Sequence, residues 1–229
     1  MARVRCLMCP GWHSSQAHTH LPVKPYSYPS SIQSGFPPVP HMQRVFLYPD
    51  TADASFAAIL SSLKSSLALM LPSFHPFAGK LTYISSDTKA IIDCSASAIR
   101  EGVTIIEAES DLDIHRIAKE EVLDLELFLQ LAPNITMLEL PIEVLAVQVT
   151  RFSNGGVALG TAIHHTVADG KGLWQFMEAW ASTCRTSSVP SVFMPVHDRA
   201  IIKYPEGDKI AKNFTKKVAP DLPKVYICQ

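Results

Sequence analysis

The sequence lacks several features that would mark particular classes of protein. It contains no run of roughly 18 apolar residues, so no helix is predicted to cross a bilayer and no membrane partner is expected. It has no excess of positive charge, since 20 Lys and Arg face 21 Asp and Glu, and nucleic acid is therefore not an expected partner. Its five cysteines are scattered and odd in number, which argues against a disulfide scaffold. Because 47% of the 229 residues are hydrophobic, we expect a globular protein, and the scattered cysteines are typical of a reducing, cytoplasmic compartment.

Acidic residues are absent from the first 49 positions, which hold 8 of the 17 prolines. Proline does not sustain a helix, so residues 21–29 are predicted to be extended or irregular. We interpret residues 1–35 as an irregular leader rich in Pro, Ser and His. Arg3, Arg5 and the missing acids would also suit an organelle transit peptide, but the prolines interrupt the amphipathic helix that such a peptide needs.

Cysteine and histidine cluster near the N-terminus, at Cys6, Cys9, His13, His18 and His20. These residue types bind zinc, but their spacing matches no zinc-finger pattern. We therefore predict no metal site.

The globular pattern begins with an apolar helix. The residues at helical spacing are Phe56, Ile59, Leu60, Leu63, Leu67 and Met70. Asp50 or Thr51 is available as its N-cap, and Pro72 lies just beyond its end.

Short apolar runs predict strands at 89–94 and 102–108, and residues 111–131 carry a helical period in their first half. Two further strands, at 144–152 and 157–164, flank the turn sequence Ser-Asn-Gly-Gly and are predicted to form a hairpin.

A second helix follows the hairpin. Its apolar face is predicted to contain Leu173, Phe176, Met177 and Trp180, whereas Trp174 lies off this face and could meet a partner domain. After Ser187 the chain is rich in Pro and Lys. We therefore divide the chain into the leader, a globular domain over 36–187 and a partial linker over 188–229.

The densest chemical signal is the run His-His-Thr-Val-Ala-Asp-Gly at 164–170. A His and an Asp four residues apart occur together often by chance, but a preceding His and a following Gly make the pattern rare. The run lies where a predicted strand ends and a predicted helix begins. A side chain at such a junction projects into a cleft from rigid elements, so the junction is the candidate site.

A histidine at this junction suits proton abstraction, because its ordinary pKa of about 6.5 leaves much of it neutral at cytosolic pH. Asp169 could fix the tautomer of that histidine, or it could turn away and bond the scaffold. A purely structural interpretation also stands. In it, Asp169 caps a helix over 170–183, Gly170 tolerates the turn, and His164 and His165 are ordinary strand-end residues.

The run at 164–170 resembles the H-x-x-x-D-G signature of the plant BAHD family of acyl-CoA-dependent acyltransferases. A block at 71–81, Leu-Pro-Ser-Phe-His-Pro-Phe-Ala-Gly-Lys-Leu, is similar to another segment of that family, and the two occur in the family's order. Residues 169–181, 36–38 and 44–49 most resemble the branch that acylates sugars on anthocyanins and other flavonoid or phenolic glucosides. The resemblance runs from about residue 36 to near the C-terminus.

The resemblance implies a mechanism without metal or bound cofactor, in which acyl-CoA is a co-substrate. The second histidine, here His165, would act as general base on an acceptor hydroxyl. The hydroxyl oxygen would then attack the thioester of malonyl-CoA or an aromatic acyl-CoA. Asp169 is implied to hold the histidine loop through a salt bridge, and Gly170 to let the backbone pass close to the site. His164 and Gly170 are expected to contact substrate.

The resemblance also implies an α/β fold like that of chloramphenicol acetyltransferase, with a mixed β-sheet flanked by helices. The family has two domains, and His165 would lie between them. Its second signature, Asp-Phe-Gly-Trp-Gly, does not occur here, and residues 1–34 do not match the family's opening strand. We therefore expect a partial product whose second domain is missing, and a monomer for the full-length form.

Two hypotheses follow. The chain is part of an acyltransferase that modifies a hydroxyl of a flavonoid or phenolic glucoside, or it is an inactive homologue that binds a ligand or a partner through its uncovered interdomain face.

Peptide-synthetase condensation domains share the histidine signature, but the Pro-Phe-Ala-Gly-Lys block argues against them. His75 in that block is predicted to be a structural wall residue rather than a second base.

Overall fold

A computed structural model describes residues 17–21, 31–34, 41–51, 54–84, 86, 89–100, 102–120, 124–135, 140–191, 194–197, 201 and 205–218. The strands are β1 Ala17–Leu21, β2 Ser31–Ser34, β3 His41–Tyr48, β4 Lys80–Ile84, β5 Lys89–Asp93, β6 Val103–Ser110, β7 Ile142–Glu143, β8 Leu145–Phe152 and β9 Val157–His164. The helices are α1 Phe56–Met70, α2 Ala96–Ile99, α3 Ile114–Ile117, α4 Leu125–Leu131, α5 Gly170–Thr186 and α6 Gly207–Val218, with a 3-10 helix at His75–Ala78.

The strands form two sheets. The larger has five strands in the order β1-β6-β8-β9-β3, and the smaller has four in the order β2-β5-β4-β7. β8 is parallel to β6 and antiparallel to β9, so the larger sheet is mixed, as predicted. The predicted hairpin is confirmed as β8 and β9. Its turn contains Gly155 and Gly156 at φ of 91° and 84°, a backbone region that favours glycine.

Helices α1 and α5 pack together against one face of the larger sheet. The side chains of this core include Leu67, Met70, Val147, Leu159, Ile163, Phe176 and Trp180. Trp180 is 2% exposed, and its indole N–H donates to Ser66 Oγ at 3.0 Å. Burying each apolar side chain of this size contributes about 1.5–3 kcal/mol. The residues of the predicted apolar face of α5 are all buried, so this prediction is confirmed.

The opposite face of the larger sheet carries α3 and α4, whose Ile114, Ile117 and Leu131 pack with Phe152 and Ala158. The period at 111–131 predicts one helical segment, but the structure has two short helices there. Each begins at its own aspartate. Asp113 accepts a hydrogen bond from the His115 N–H at 2.9 Å, and Asp124 accepts one from the Glu126 N–H at 2.9 Å.

The prediction that residues 1–35 form a continuous irregular leader is wrong, because two strands lie within it. Ala17–Leu21 pairs antiparallel with β6, and Ser31–Ser34 pairs antiparallel with β5. Sheet pairing uses backbone N–H and C=O groups, so a strand with little apolar pattern can still add to an existing edge. Of the stretch at 21–29 predicted to be extended or irregular, Leu21 ends β1 and the remaining residues lie outside the described residues, as do the side chains of the Cys and His cluster.

Two further expectations need correction. The N-cap of α1 is Ser55, whose hydroxyl accepts from the Ala58 N–H at 3.3 Å, rather than Asp50 or Thr51. The prolines beyond Ser187 predict an irregular linker, but α6 forms within this tail after Pro205. In the described part of the chain, no helix combines the length and the apolarity needed to cross a bilayer.

Candidate active site

The run at 164–170 connects the end of β9 to the start of α5. All eight residues of β9 are buried, because this strand lies between β8 and β3. The chain then turns sharply, and the Val167 N–H donates to the His164 carbonyl at 3.0 Å. Val167 packs against the apolar clusters of both sheets. The turn is therefore held where the two sheets meet.

His165, the first residue after β9, is exposed. It lines a cavity of about 430 Å³. The other walls come from the 71–81 block, from the start of α5 and from the tail, and include Phe74, Phe77, Asp169, Gln175, Pro195 and His197. The imidazole of His165 is therefore accessible to a molecule in this cavity.

Asp169 also lines this cavity, but its hydrogen bond goes to the helix. Oδ1 accepts the Gly172 N–H at 2.7 Å, and the residue has the extended backbone of an N-cap, with φ −85° and ψ −175°. Across the described residues, Asp169 makes no salt bridge and no hydrogen bond to His165. Of the roles predicted for Asp169, the geometry supports the scaffold role.

His164 is fully buried, with 0% of its surface exposed. Its Nδ1 accepts the Thr166 N–H at 3.2 Å and lies 2.8 Å from Thr166 Oγ1. Burial, together with the nearby His41 and His165 rings, lowers the pKa of His164 to about 3. The expectation that His164 contacts substrate is wrong for this structure, because a side chain without exposed surface offers no atom to a ligand.

Gly170 is the first residue of α5 and is exposed. A Cβ built there would meet no atom within 4 Å among the described residues, and the backbone does not have positive φ. Glycine is predicted to be needed at this position because the backbone would pass close to the site. The contacts of the described residues show no such close approach.

His197 is a site residue that sequence reasoning missed. Its Nε2 lies 2.9 Å from the Ser73 carbonyl oxygen, to which it donates, and its ring meets His75 edge-on with centroids 4.5 Å apart. His75 is 4% exposed, and burial, with the His197 ring adding, lowers its pKa to about 4. His75 is thus a buried structural residue, as predicted, but it is not among the described residues that line the cavity. No spacing in the sequence relates position 197 to position 165, and only the folded tail brings them to one cavity.

A second, more apolar groove of about 630 Å³ lies beside β3, α1 and α5. Trp174 lines it, is 48% exposed, and meets the Phe46 ring edge-on with centroids 6.2 Å apart. His165 does not line this groove. In the described part of the chain, no group of three or more His, Cys, Asp or Glu side chains is arranged to hold a metal ion.

Comparisons with known proteins agree with this fold. A family model described as the Transferase family matches residues 36–225. Phenolic glucoside malonyltransferase 2 of Arabidopsis thaliana is 34% identical over 169 residues, which are 72% of this chain and 37% of that protein. Malonyl-CoA:anthocyanidin 5-O-glucoside-6''-O-malonyltransferase of the same plant is 34% identical over 168 residues, with the same two shares.

Among solved structures, vinorine synthase superposes with a TM-score of 0.64 and 25% identity, over 93% of this chain and 47% of that one. The chain spans 37% of the length of the two curated relatives. The family match covers most of the chain, and the fold is shared with a solved structure. The chain therefore belongs to the plant BAHD family of acyltransferases, of which it represents the N-terminal portion.

Proposed function

We propose that this chain is part of an acyl-CoA-dependent O-acyltransferase in which His165 is the general base. The observation that carries the proposal is the contrast between His165, exposed on the cavity, and the fully buried strand that ends one residue before it. A rigid strand end holds an imidazole in a cleft, and catalysis by a base depends on this kind of fixed approach.

In the proposed reaction, one nitrogen of His165 takes the proton of an acceptor hydroxyl. The oxygen attacks the thioester carbonyl carbon and forms a tetrahedral oxyanion. Collapse of the oxyanion breaks the carbon–sulfur bond, the CoA thiolate leaves, and the imidazolium returns its proton to the sulfur. Acyl-CoA is consumed as a co-substrate, and the steps need no further cofactor. A base in this position contributes about 10²–10⁴-fold to the rate.

The proposed substrates are malonyl-CoA or an aromatic acyl-CoA as donor, and a flavonoid, anthocyanin or phenolic glucoside as acceptor. The names of the two plant malonyltransferases support this choice, since both acceptors are glucosides and the second name states a malonyl-CoA donor. The cavity itself combines aromatic walls at Phe74 and Phe77 with polar groups at Gln175 and His197. Such a lining suits a planar ring that carries hydroxyl groups.

The test is an acyl-transfer assay on the purified chain, with malonyl-CoA or an aromatic acyl-CoA and a phenolic glucoside. Released CoA thiol and the mass of the acylated glucoside are both measured. We expect His165→Ala to lower kcat by about 10²–10⁴-fold. His115→Ala is the matched control, because His115 lies on α3 and does not line the cavity. A His165→Ala variant within a few-fold of the wild type would overturn the assignment of the base.

A second candidate function is a binding module without catalysis. The exposed Trp174 in the apolar groove favours it, because contiguous apolar surface of this kind often marks a contact with another protein. Size-exclusion chromatography with light scattering, together with the acyl-transfer assay, distinguishes the enzyme from the binding module. A monomer that turns over acyl-CoA supports the enzyme, and a self-associating chain without turnover supports the module.

A further inference from the structure

The turn that presents His165 is anchored at His164. The His164 N–H donates to the Val144 carbonyl at 2.8 Å, which ties the end of β9 to the residue that precedes β8. The His164 carbonyl accepts the Val167 N–H at 3.0 Å, which closes the turn around positions 165 and 166. The exposed His165 is therefore a central residue of a turn whose first residue is fixed in the sheet.

The side chain of His164 binds the same turn a second time. Its Nδ1 accepts the Thr166 N–H, so that nitrogen carries no proton and the neutral ring is protonated at Nε2. Thr166 Oγ1, at 2.8 Å, must then donate its own hydrogen to Nδ1. Both donors of Thr166 therefore converge on one nitrogen of His164. Thr166 is 6% exposed, so little water competes for these bonds.

Packing alone does not require a histidine at position 164. Its Nε2 is buried without a hydrogen-bond partner among the described residues, and its ring lies 4.9 Å from the His41 ring at an interplanar angle of 87°. A buried polar nitrogen without a partner is destabilising, whereas a leucine would fill the same space without that penalty. The ring nitrogen that is used, Nδ1, is the one that faces Thr166.

We propose that His164 is a positioning residue for His165: Nδ1 of its Nε2–H tautomer accepts both donors of Thr166 and so fixes the turn that holds His165 on the cavity. The proposal rests on the proposed function, since His165 must be the base for its position to affect the rate. It adds a role for the first histidine of the run that differs from contact with substrate.

The first test does not depend on activity. Histidine side-chain ¹⁵N spectra of the whole chain are expected to show His164 as the Nε2–H tautomer. Amide hydrogen exchange at Thr166 is expected to become about tenfold faster in His164→Leu, since one backbone hydrogen bond is lost. Thr161→Val is the matched control. Thr161 lies on the same strand, is 0% exposed, and has a hydroxyl without a partner in the described part of the chain. An Nδ1–H tautomer, or unchanged exchange at Thr166 in His164→Leu, would overturn the proposal.

The second test uses kinetics and a milder variant that keeps the fold if His164→Leu does not. Thr166→Val removes the hydroxyl donor and is expected to lower kcat about tenfold with little change in the KM for acyl-CoA. Thr166→Ser restores the donor and the rate. Equal kcat values in Thr166→Val and Thr161→Val, in a chain that His165→Ala inactivates, would refute the positioning role. If the tautomer and exchange results are as expected but the wild-type chain transfers no acyl group, the hydrogen bonds between His164 and Thr166 are confirmed and the proposed function is refuted.

Discussion

Replacing Asp169 tests whether its carboxylate caps α5 or holds the loop through a salt bridge, as the family resemblance implies. In the structure, Oδ1 accepts the Gly172 N–H at 2.7 Å, and no cationic side chain among the described residues pairs with it. Loss of an N-cap side chain costs typically about 1 kcal/mol. Loss of a negative charge beside a helix N-terminus costs about 0.3–1 kcal/mol more.

We therefore expect Asp169→Ala to lower the free energy of unfolding by about 1.5 kcal/mol, which for a domain of this size corresponds to roughly 3–6 °C in Tm. Asp169→Asn keeps an acceptor oxygen and loses only the charge, so it should cost about 0.5 kcal/mol. The assay is urea unfolding followed by circular dichroism. Glu178→Ala, on the exposed surface of the same helix, controls for general effects on α5. If Asp169→Asn were as destabilising as Asp169→Ala, the charge would dominate and the cap argument would be refuted.

The remaining predictions concern pH and two glycines. His75 and His164 have pKa values lowered to about 4 and about 3 by burial, so the unfolded chain binds protons below about pH 6.5 that the folded chain does not. The free energy of unfolding therefore falls as the pH falls through 6.5, by about 2 kcal/mol per histidine at pH 5. Urea unfolding near pH 7.5 and near pH 5 measures this difference, and equal free energies of unfolding at the two pH values would contradict the prediction. Gly160→Ala places a Cβ in steric conflict with the Leu131 carbonyl oxygen and should lower the free energy of unfolding, measured in urea, by about 1–3 kcal/mol. Gly170→Ala, with open space around its Cβ, should be neutral or slightly stabilising in urea unfolding of the two variants side by side. A loss of stability as large as that of Gly160→Ala would show an unrecognised close contact.

Much of the fold near the site followed from local pattern. The β8–β9 hairpin and α5 were predictable because strand alternation, a glycine turn and helical spacing are properties of neighbouring residues. The division of residues 111–131 into α3 and α4 was harder to predict. The helical period covers only the first half of this segment and the rest is broadly apolar, so the pattern does not mark a break. In the structure, each helix begins at its own aspartate cap.

The candidate site was predicted in position but not in every role. The junction of a strand and a helix, with His165 first after the strand, could be read from the sequence. The assignment of His164 to substrate failed because its ring is buried by neighbours from distant parts of the chain. Contact of Gly170 with substrate stays a prediction, and only the expected close approach of the backbone there found no counterpart. His197 was missed for the same reason, since no local pattern links it to the cavity.

The sequence by itself determined the β8–β9 hairpin, α5 and the residue types that stand at the junction between them. These features arise from interactions between residues a few positions apart. Only the tertiary structure decided which histidine faces the cavity, which one is buried, and that the tail supplies a second histidine to the cavity wall. Solvent exposure and the direction of a hydrogen bond are set by what packs against a side chain. Successive residues of a sharp turn, such as His164 and His165, can therefore meet opposite environments.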